Sequence, residues 1–210
     1  MFQIHDNNNS EDICFIDESF DTHESKVRNY IVSAGIFLGN VELGFKSFTN
    51  SGLELGFKTS KQFKVSHQRN LHLMGNWLRN QDFLSISVAV SLRFWDPEVA
   101  RRLALTQLFT QLNLLGINSL LMDSRDSELS KKQILNSLDN STLSFLRRID
   151  SKFTGTILTF HQDEFDFRFA IADYVAWCTR RLISSDESTF YRYFAEKNEV
   201  YFVPAEKVRD

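Results

Sequence analysis

The sequence has little that punctuates a chain and nothing that staples one. Two prolines and eight glycines in 210 residues exclude a collagen-like repeat and a proline- or glycine-rich linker. Two cysteines, Cys14 and Cys178, have no nearby partner, and there is no Cys-x-x-Cys and no zinc quartet. A disulfide scaffold is therefore excluded, and both thiols are expected reduced, in a cytoplasmic protein. The longest clean apolar run, Ile31 to Leu38, is too short to span a bilayer. Met1 to Asp12 is polar and acidic and lacks a signal-peptide core, so neither export nor a membrane span is expected. No P-loop, dinucleotide fingerprint or Gly-x-Ser-x-Gly is present, and His5, His23, His67, His72 and His161 form no zinc pattern.

What remains has an ordinary globular balance, 42% hydrophobic and 24% charged, which rules out a disordered chain. A chain of this length buries a sizeable core unaided. Phenylalanine dominates the aromatics, 20 against five Tyr and three Trp, which fits core filling better than a binding code. The net charge of -3 decides nothing about partners. Its distribution says more. Asp6 to Glu24 holds Asp6, Glu11, Asp12, Asp17, Glu18, Asp21 and Glu24 and no Lys or Arg. Leu55 to Gln81 holds no acid, but Lys58, Lys61, Lys64, Arg69 and Arg79 with His67 and His72. A metal site beside a phosphate-binding surface gives this pattern; so do two solvated loops of opposite sign.

Residues 1–12 read as a polar leader and 13–210 as a single domain. Ile13 to Ile16 is of strand type and ends in the polar run Asp17 to Thr22. Tyr30 to Leu38 is a second strand, and Val41 to Lys58 reads as a poor hairpin broken by glycines. His67 to Arg79 has helical spacing. Phe83 to Phe94 alternates as a strand. Asp96-Pro97-Glu98 starts a helix that Gly116 stops. Ile117 to Asp123 is a strand, about Ser130 to Ile149 a helix, and Gly155 to His161 a strand. Asp166 caps a helix from Phe167 to Ile183, and a last helix is expected over Glu187 to Lys197. Alternating elements after residue 60 predict one α/β domain with a mixed sheet flanked by helices.

Three carboxylates stand out by position. Asp17 and Asp123 each close an apolar strand, where ligands gather in α/β sheets; each is equally a turn or cap residue. Asp173 lies inside a helix among Phe169, Ala170, Ala176 and Trp177, with no Lys or Arg within one turn. A carboxylate on such a face is costly unless paired, protonated or metal-bound, unless the face is simply exposed. Hard divalent cations remove the repulsion between gathered carboxylates and activate water for attack on phosphate. Lys58, Lys61, Lys64 and Arg69 are the candidate phosphate contacts; an amphipathic helix with a basic outer face is the plainer reading. His161, near Asp163, Glu164 and Asp166, is placed to tune such a water or to be solvated at a strand end.

Taken in order, these segments resemble the domain of unknown function 3800 family. Phe15-Ile16-Asp17-Glu18-Ser19-Phe20-Asp21-Thr22, followed by Tyr30-Ile31-Val32-Ser33-Ala34-Gly35, is similar to the family's opening. Phe169 to Trp177 is similar to its Leu-Gln-Leu-Ala-Asp helix, Asp123 fits its central aspartate, and Lys58-Thr59-Ser60 its Lys-x-Ser segment. The likeness covers roughly residues 13–197. It implies a ribonuclease-H-like fold and a metal-dependent nuclease or integrase-type site. By the resemblance, Asp17, Asp123 and Asp173 would bind Mg²⁺ or Mn²⁺, with Glu18 the fourth acid, and nucleic acid, DNA or RNA, would be the partner. Phe20 stands where the family has Gly, and Ala170 where it often has Gln. These departures keep open a module that binds nucleic acid or protein without cutting. A hydrolase of small phosphates is a third reading.

Overall fold

The computed structural model describes residues 13–23, 26–63, 68–95, 97–123, 129–161 and 166–203. The polar leader and the capping Asp96 lie outside the described residues. The described elements are β1 (Ile13–His23), β2 (Lys26–Phe37), α1 (Val41–Asn50), α2 (Thr59–Gln62), α3 (Gln68–Arg79), β3 (Phe83–Trp95), α4 (Pro97–Leu114), β4 (Ser119–Asp123), α5 (Leu129–Ile149), β5 (Thr156–His161), α6 (Phe167–Ser185) and β6 (Asn198–Val203). Two 3₁₀ turns, Tyr191–Tyr193 and Ala195–Lys197, join α6 to β6.

The six strands form one mixed sheet in the order β5-β4-β1-β2-β3-β6. β1, β2 and β3 are an antiparallel meander. β4 joins β1 in parallel, β5 joins β4 in parallel, and β6 joins β3 in parallel. An antiparallel meander flanked by parallel β4 and β5 on its first strand is the ribonuclease-H-like arrangement. The parallel strands need long crossovers, and α4, α5 and α6 supply them.

One face of the sheet packs on α4 and α5. Cys14, Ile16, Val32, Val88, Leu105, Leu108 and Leu143 are among the residues buried there. The other face packs on α6. Gly35 on β2 admits this helix closely, since a Cβ there would meet Ile171 Cγ2 at 3.0 Å. α1, α3 and the 3₁₀ turns then cover the far side of α6 with a cluster that includes Phe48, Leu71, Met74, Trp77, Tyr174 and Phe190. A helix with layers on both sides is apolar nearly all round, which is why α6 has no single clean stripe.

The structure corrects three expectations. Val41 to Lys58 is no hairpin. Asn40 caps α1, its side chain accepting from Leu43 N at 3.0 Å. Gly44 is buried inside that helix against Phe37 and Phe167, while Gly52 and Gly56 take positive φ in the turns that follow. The chain end is also different: Glu187 to Lys197 forms 3₁₀ turns, and Asn198 to Val203 is an unanticipated strand. Third, β1 does not stop at Asp17. It runs six residues further against β2, to His23.

Cys14 and Cys178 are both free and buried. Burial pushes both thiols well above their ordinary value near 9. A thiol protonated when folded adds stability that is complete below that value. It is lost as pH rises above it, because only the unfolded chain ionises. Urea titration is expected to show stability falling between pH 8 and pH 10, by about 1 kcal/mol per thiol, and less in the Cys14→Ala/Cys178→Ala variant. A flat profile in the parent would contradict the burial. Gly44→Ala tests the second layer. Its Cβ would lie 2.5 Å from Phe37 Cζ, so a loss of about 1–3 kcal/mol is expected despite better helix propensity. Gly52→Ala faces open space and is expected to cost only the left-handed backbone, about 1–2 kcal/mol.

Candidate functional site

The extension of β1 decides which acids meet. Side chains alternate across a strand, so Phe15, Asp17, Ser19 and Asp21 face α6 while Cys14, Ile16, Glu18 and Phe20 face α4. Phe15 meets Phe169 of α6 edge-on, with ring centroids 5.0 Å apart. Asp17, two residues on, lies opposite Ser33 of β2. Its Oδ1 accepts from Glu18 N at 2.7 Å, and its Oδ2 faces Lys58 Nζ at 3.4 Å.

Asp173 of α6 reaches the neighbouring residue. Its Oδ2 accepts from Thr59 N at 2.7 Å and also from the Thr59 hydroxyl. Thr59 is fully buried and opens α2. Consecutive residues, Lys58 and Thr59, therefore contact Asp17 and Asp173 respectively. The expectation that Asp173 needs a partner is met by a backbone N–H and a hydroxyl from a distant segment, a cap that no local spacing reveals.

Asp123 comes level with Asp17 in the backbone register. The parallel ladder between β1 and β4 runs to Ile16 opposite Met122, so Asp17 and Asp123 are the next residues on adjacent strands. Asp123 is level with His161 on β5. The side chains of Asp123, His161 and Lys61, and all of Lys64, His67, Asp163 and Glu164, lie outside the described residues. Arg69 is exposed on α3. Among the described residues, no three His, Cys, Asp or Glu side chains are gathered closely enough to hold a metal ion.

Glu18 is not brought to the Asp17–Asp173 pair. It points through the sheet to the α4 face, where it pairs with Arg101 and accepts from Tyr30 OH. Arg101 also holds Asp139 of α5 in a two-pronged pair, Nε to Oδ1 at 3.1 Å and Nη2 to Oδ2 at 3.0 Å. Arg101 and Asp139 are 4% and 2% exposed, so this is a core ion network. Sequence reasoning missed it, because its members lie on β1, α4 and α5 and no local spacing joins them. Further along the α6 face, Arg180 donates to Ser19 Oγ at 2.9 Å and pairs with Asp21, which Ser184 also contacts.

Behind Asp173, α6 buries Tyr174 and Cys178. Burial raises both well above their ordinary values, and the Asp173 charge adds to the rise at Cys178. Neither serves as an ionised nucleophile near neutral pH.

No family profile matches the chain, and no curated protein matches it. Among solved structures the chain is similar to one in the PCNA:RNase HII complex from Archaeoglobus fulgidus, at 15% identity over 88% of this chain and 77% of that chain, with a TM-score of 0.42. Nothing about this chain's chemistry rests on a likeness that faint. The ribonuclease-H-like assignment rests on strand order and direction.

Carboxylate oxygens are the ligand type that hard divalent cations prefer. Asp17 and Asp173 offer carboxylate oxygens only, and a cation, the Lys58 ammonium, already sits against Asp17. The opposite face is held by a different logic. Removing one member of a buried ion network strands the others. Arg101→Met is expected to cost about 3–5 kcal/mol in urea unfolding, whereas Glu18→Gln/Arg101→Met/Asp139→Asn together cost far less. Equal losses in the two variants would show that the network is not what holds that face.

Proposed function

We propose that this chain is a divalent-metal-dependent phosphodiesterase acting on nucleic acid, and a member of the domain of unknown function 3800 family. The observation that carries the reading is the joint hold of Lys58 and Thr59 on Asp17 and Asp173. It joins three of the segments on which the resemblance rests, and Asp123 ends the adjacent strand. Asp17, Asp123 and Asp173 would hold Mg²⁺ or Mn²⁺, which when bound would activate water and stabilise charge on the phosphate. Asp17 is oriented for this by the Glu18 N–H. Asp173 is oriented by Thr59, and the rigid α6 carries it to the sheet. Lys58 supplies positive charge at the same spot, where a phosphate oxygen would be neutralised. Lys61, Lys64 and Arg69 follow on in sequence as backbone contacts.

One observation favours a second reading. Asp173 is engaged by two donors from Thr59, as a cap would be. A module that binds nucleic acid without cutting would keep that contact permanently.

The test pairs calorimetry with cleavage. Mn²⁺ is titrated into the parent, Asp17→Asn, Asp173→Asn and the exposed control Glu54→Gln. Labelled single- and double-stranded DNA and RNA are incubated with the same proteins. Saturable Mn²⁺ binding and cleavage are expected in the parent and control. Both aspartate variants are expected to lose more than the ~10–100-fold that outer-shell partners cost. Cleavage that survives both substitutions overturns the reading. Nucleic-acid binding with no cleavage under any divalent ion establishes the silent module instead.

A further inference from the structure

Several arginines of this protein are already engaged, while three others come together on one face; Arg102 and Arg147 are engaged elsewhere, over the Phe145 ring and on the Gly155 carbonyl. Arg101, Arg168, Arg180 and Arg181 each hold a carboxylate. Arg69, Arg79 and Arg192 hold none among the described residues, and all three are exposed. They are not scattered. Arg69, His72, Asn76 and Arg79 recur at three- and four-residue steps and so form one stripe along α3, about 15 Å from Arg69 to Arg79. Arg192 comes to the end of that stripe from the 3₁₀ turn.

One ring organises the end of the stripe. Tyr193 packs on the α3 backbone at Gly75, where a Cβ would lie 2.7 Å from the ring's Cγ. Its hydroxyl is 2.9 Å from His72 Nδ1. The Arg79 guanidinium lies 4.8 Å from the ring centroid and that of Arg192 5.8 Å. Two like charges from different elements are thus gathered around one aromatic ring. The nearest acids in sequence are Asp82, three residues after Arg79, and Glu196, four after Arg192, and among the described residues no ion pair joins either to these arginines. Such a gathering lacks an anion. Guanidinium planes held on a ring keep their N–H edges free, which suits bidentate contact with phosphate.

The stripe is also continuous with the candidate site. Asn70 at its start donates to Gln62 of α2 at 2.9 Å, and α2 begins at Thr59, which holds Asp173. The whole interval from Leu55 to Gln81 is free of acid.

We propose that the exposed stripe of α3 and the Tyr191–Tyr193 turn form a track for the phosphate backbone of a nucleic-acid strand, with Arg79 and Arg192 held by Tyr193 to grip neighbouring phosphates. The proposal rests on the nucleic-acid reading above and extends it to residues outside the site. Arg79 and Arg192 touch substrate; Tyr193 is a positioning residue.

The experiment is fluorescence anisotropy with fluorescein-labelled 16-nucleotide DNA and RNA, in EDTA and on the Asp17→Asn background. Binding is then read apart from cleavage. Arg79→Gln/Arg192→Gln is expected to raise Kd about tenfold and to reduce the slope of log K against log salt by about 1.4, the share of two phosphate contacts on a single strand. Tyr193→Phe keeps the ring and is expected to bind like the parent. Tyr193→Leu is expected to weaken binding without changing the salt slope by more than the double variant does. Lys152→Glu, exposed on the turn after α5, serves as control. Unchanged affinity and slope in the double variant overturn the track, as does displacement of the oligonucleotide by polyglutamate at equal charge concentration. Cleavage by the intact site with unchanged binding in the double variant removes the track and leaves the phosphodiesterase standing. Weakened binding in the double variant, with no cleavage by the parent, does the reverse.

Discussion

Three carboxylates on one central strand must each meet a cation before the sheet can close around them. β1 carries Asp17, Glu18 and Asp21 between two helical layers, and each finds a different partner: Lys58, Arg101 and Arg180. The rest of the architecture follows from where those cations come from. Arg101 fixes α4 on one face, and its second hold on Asp139 fixes α5 beside it. Arg180 fixes the far end of α6 on the other face. Lys58 and Thr59 bring the α1–α3 layer down onto the point where α6 crosses the strand. The hydrophobic clusters supply most of the driving force, but they are not directional. The ion pairs set the register in which the layers meet.

Much of this fold was legible because the signals were local. The alternation of Phe83 to Phe94 and the Pro97–Gly116 helix boundaries are written in adjacent residues. So is the Asp166 cap, whose Oδ1 accepts from Arg168 N at 2.9 Å. What failed was decided from a distance. The glycines of residues 41–58 suggested interrupted strands. Gly44 in fact serves close packing against Phe37, a contact invisible in a window of ten residues. β1 looked finished at Asp17 because its continuation is polar. It persists because β2 pairs along it and because cations from α4 and α6 neutralise what a turn would have left to water. β6 does carry a local signal: Val200-Tyr201-Phe202-Val203 is β-branched and aromatic.

The candidate site divides in the same way. That Asp173 was out of place on its helix could be read from its neighbours. That its partner would be Thr59 could not, because the contact spans two layers. Lys58 was singled out for phosphate and is found beside Asp17, so the basic stretch and the acidic strand do meet. Glu18 shows how sharply a period of two discriminates. One residue from Asp17, it belongs to a different chemical environment on the other side of the sheet.

Those two adjacent carboxylates differ in how firmly they are held. The Arg101–Asp139 pair that anchors Glu18's side has side chains 5% and 3% exposed and two-pronged geometry. Charges that deep are committed, since neither can leave without stranding the other. The Lys58–Asp17 pair has one contact at 3.4 Å, with the lysine side chain 23% and the aspartate side chain 9% exposed. Lysine is a flexible point charge rather than a fork. Asp17 thus meets a single-point ammonium, whereas Arg101 grips carboxylates from two elements, Glu18 of β1 and Asp139 of α5. A strand built this way divides its acids between two kinds of partner: one face enters an arginine network that ties α4 to α5, and the other meets a flexible lysine from the segment before α2.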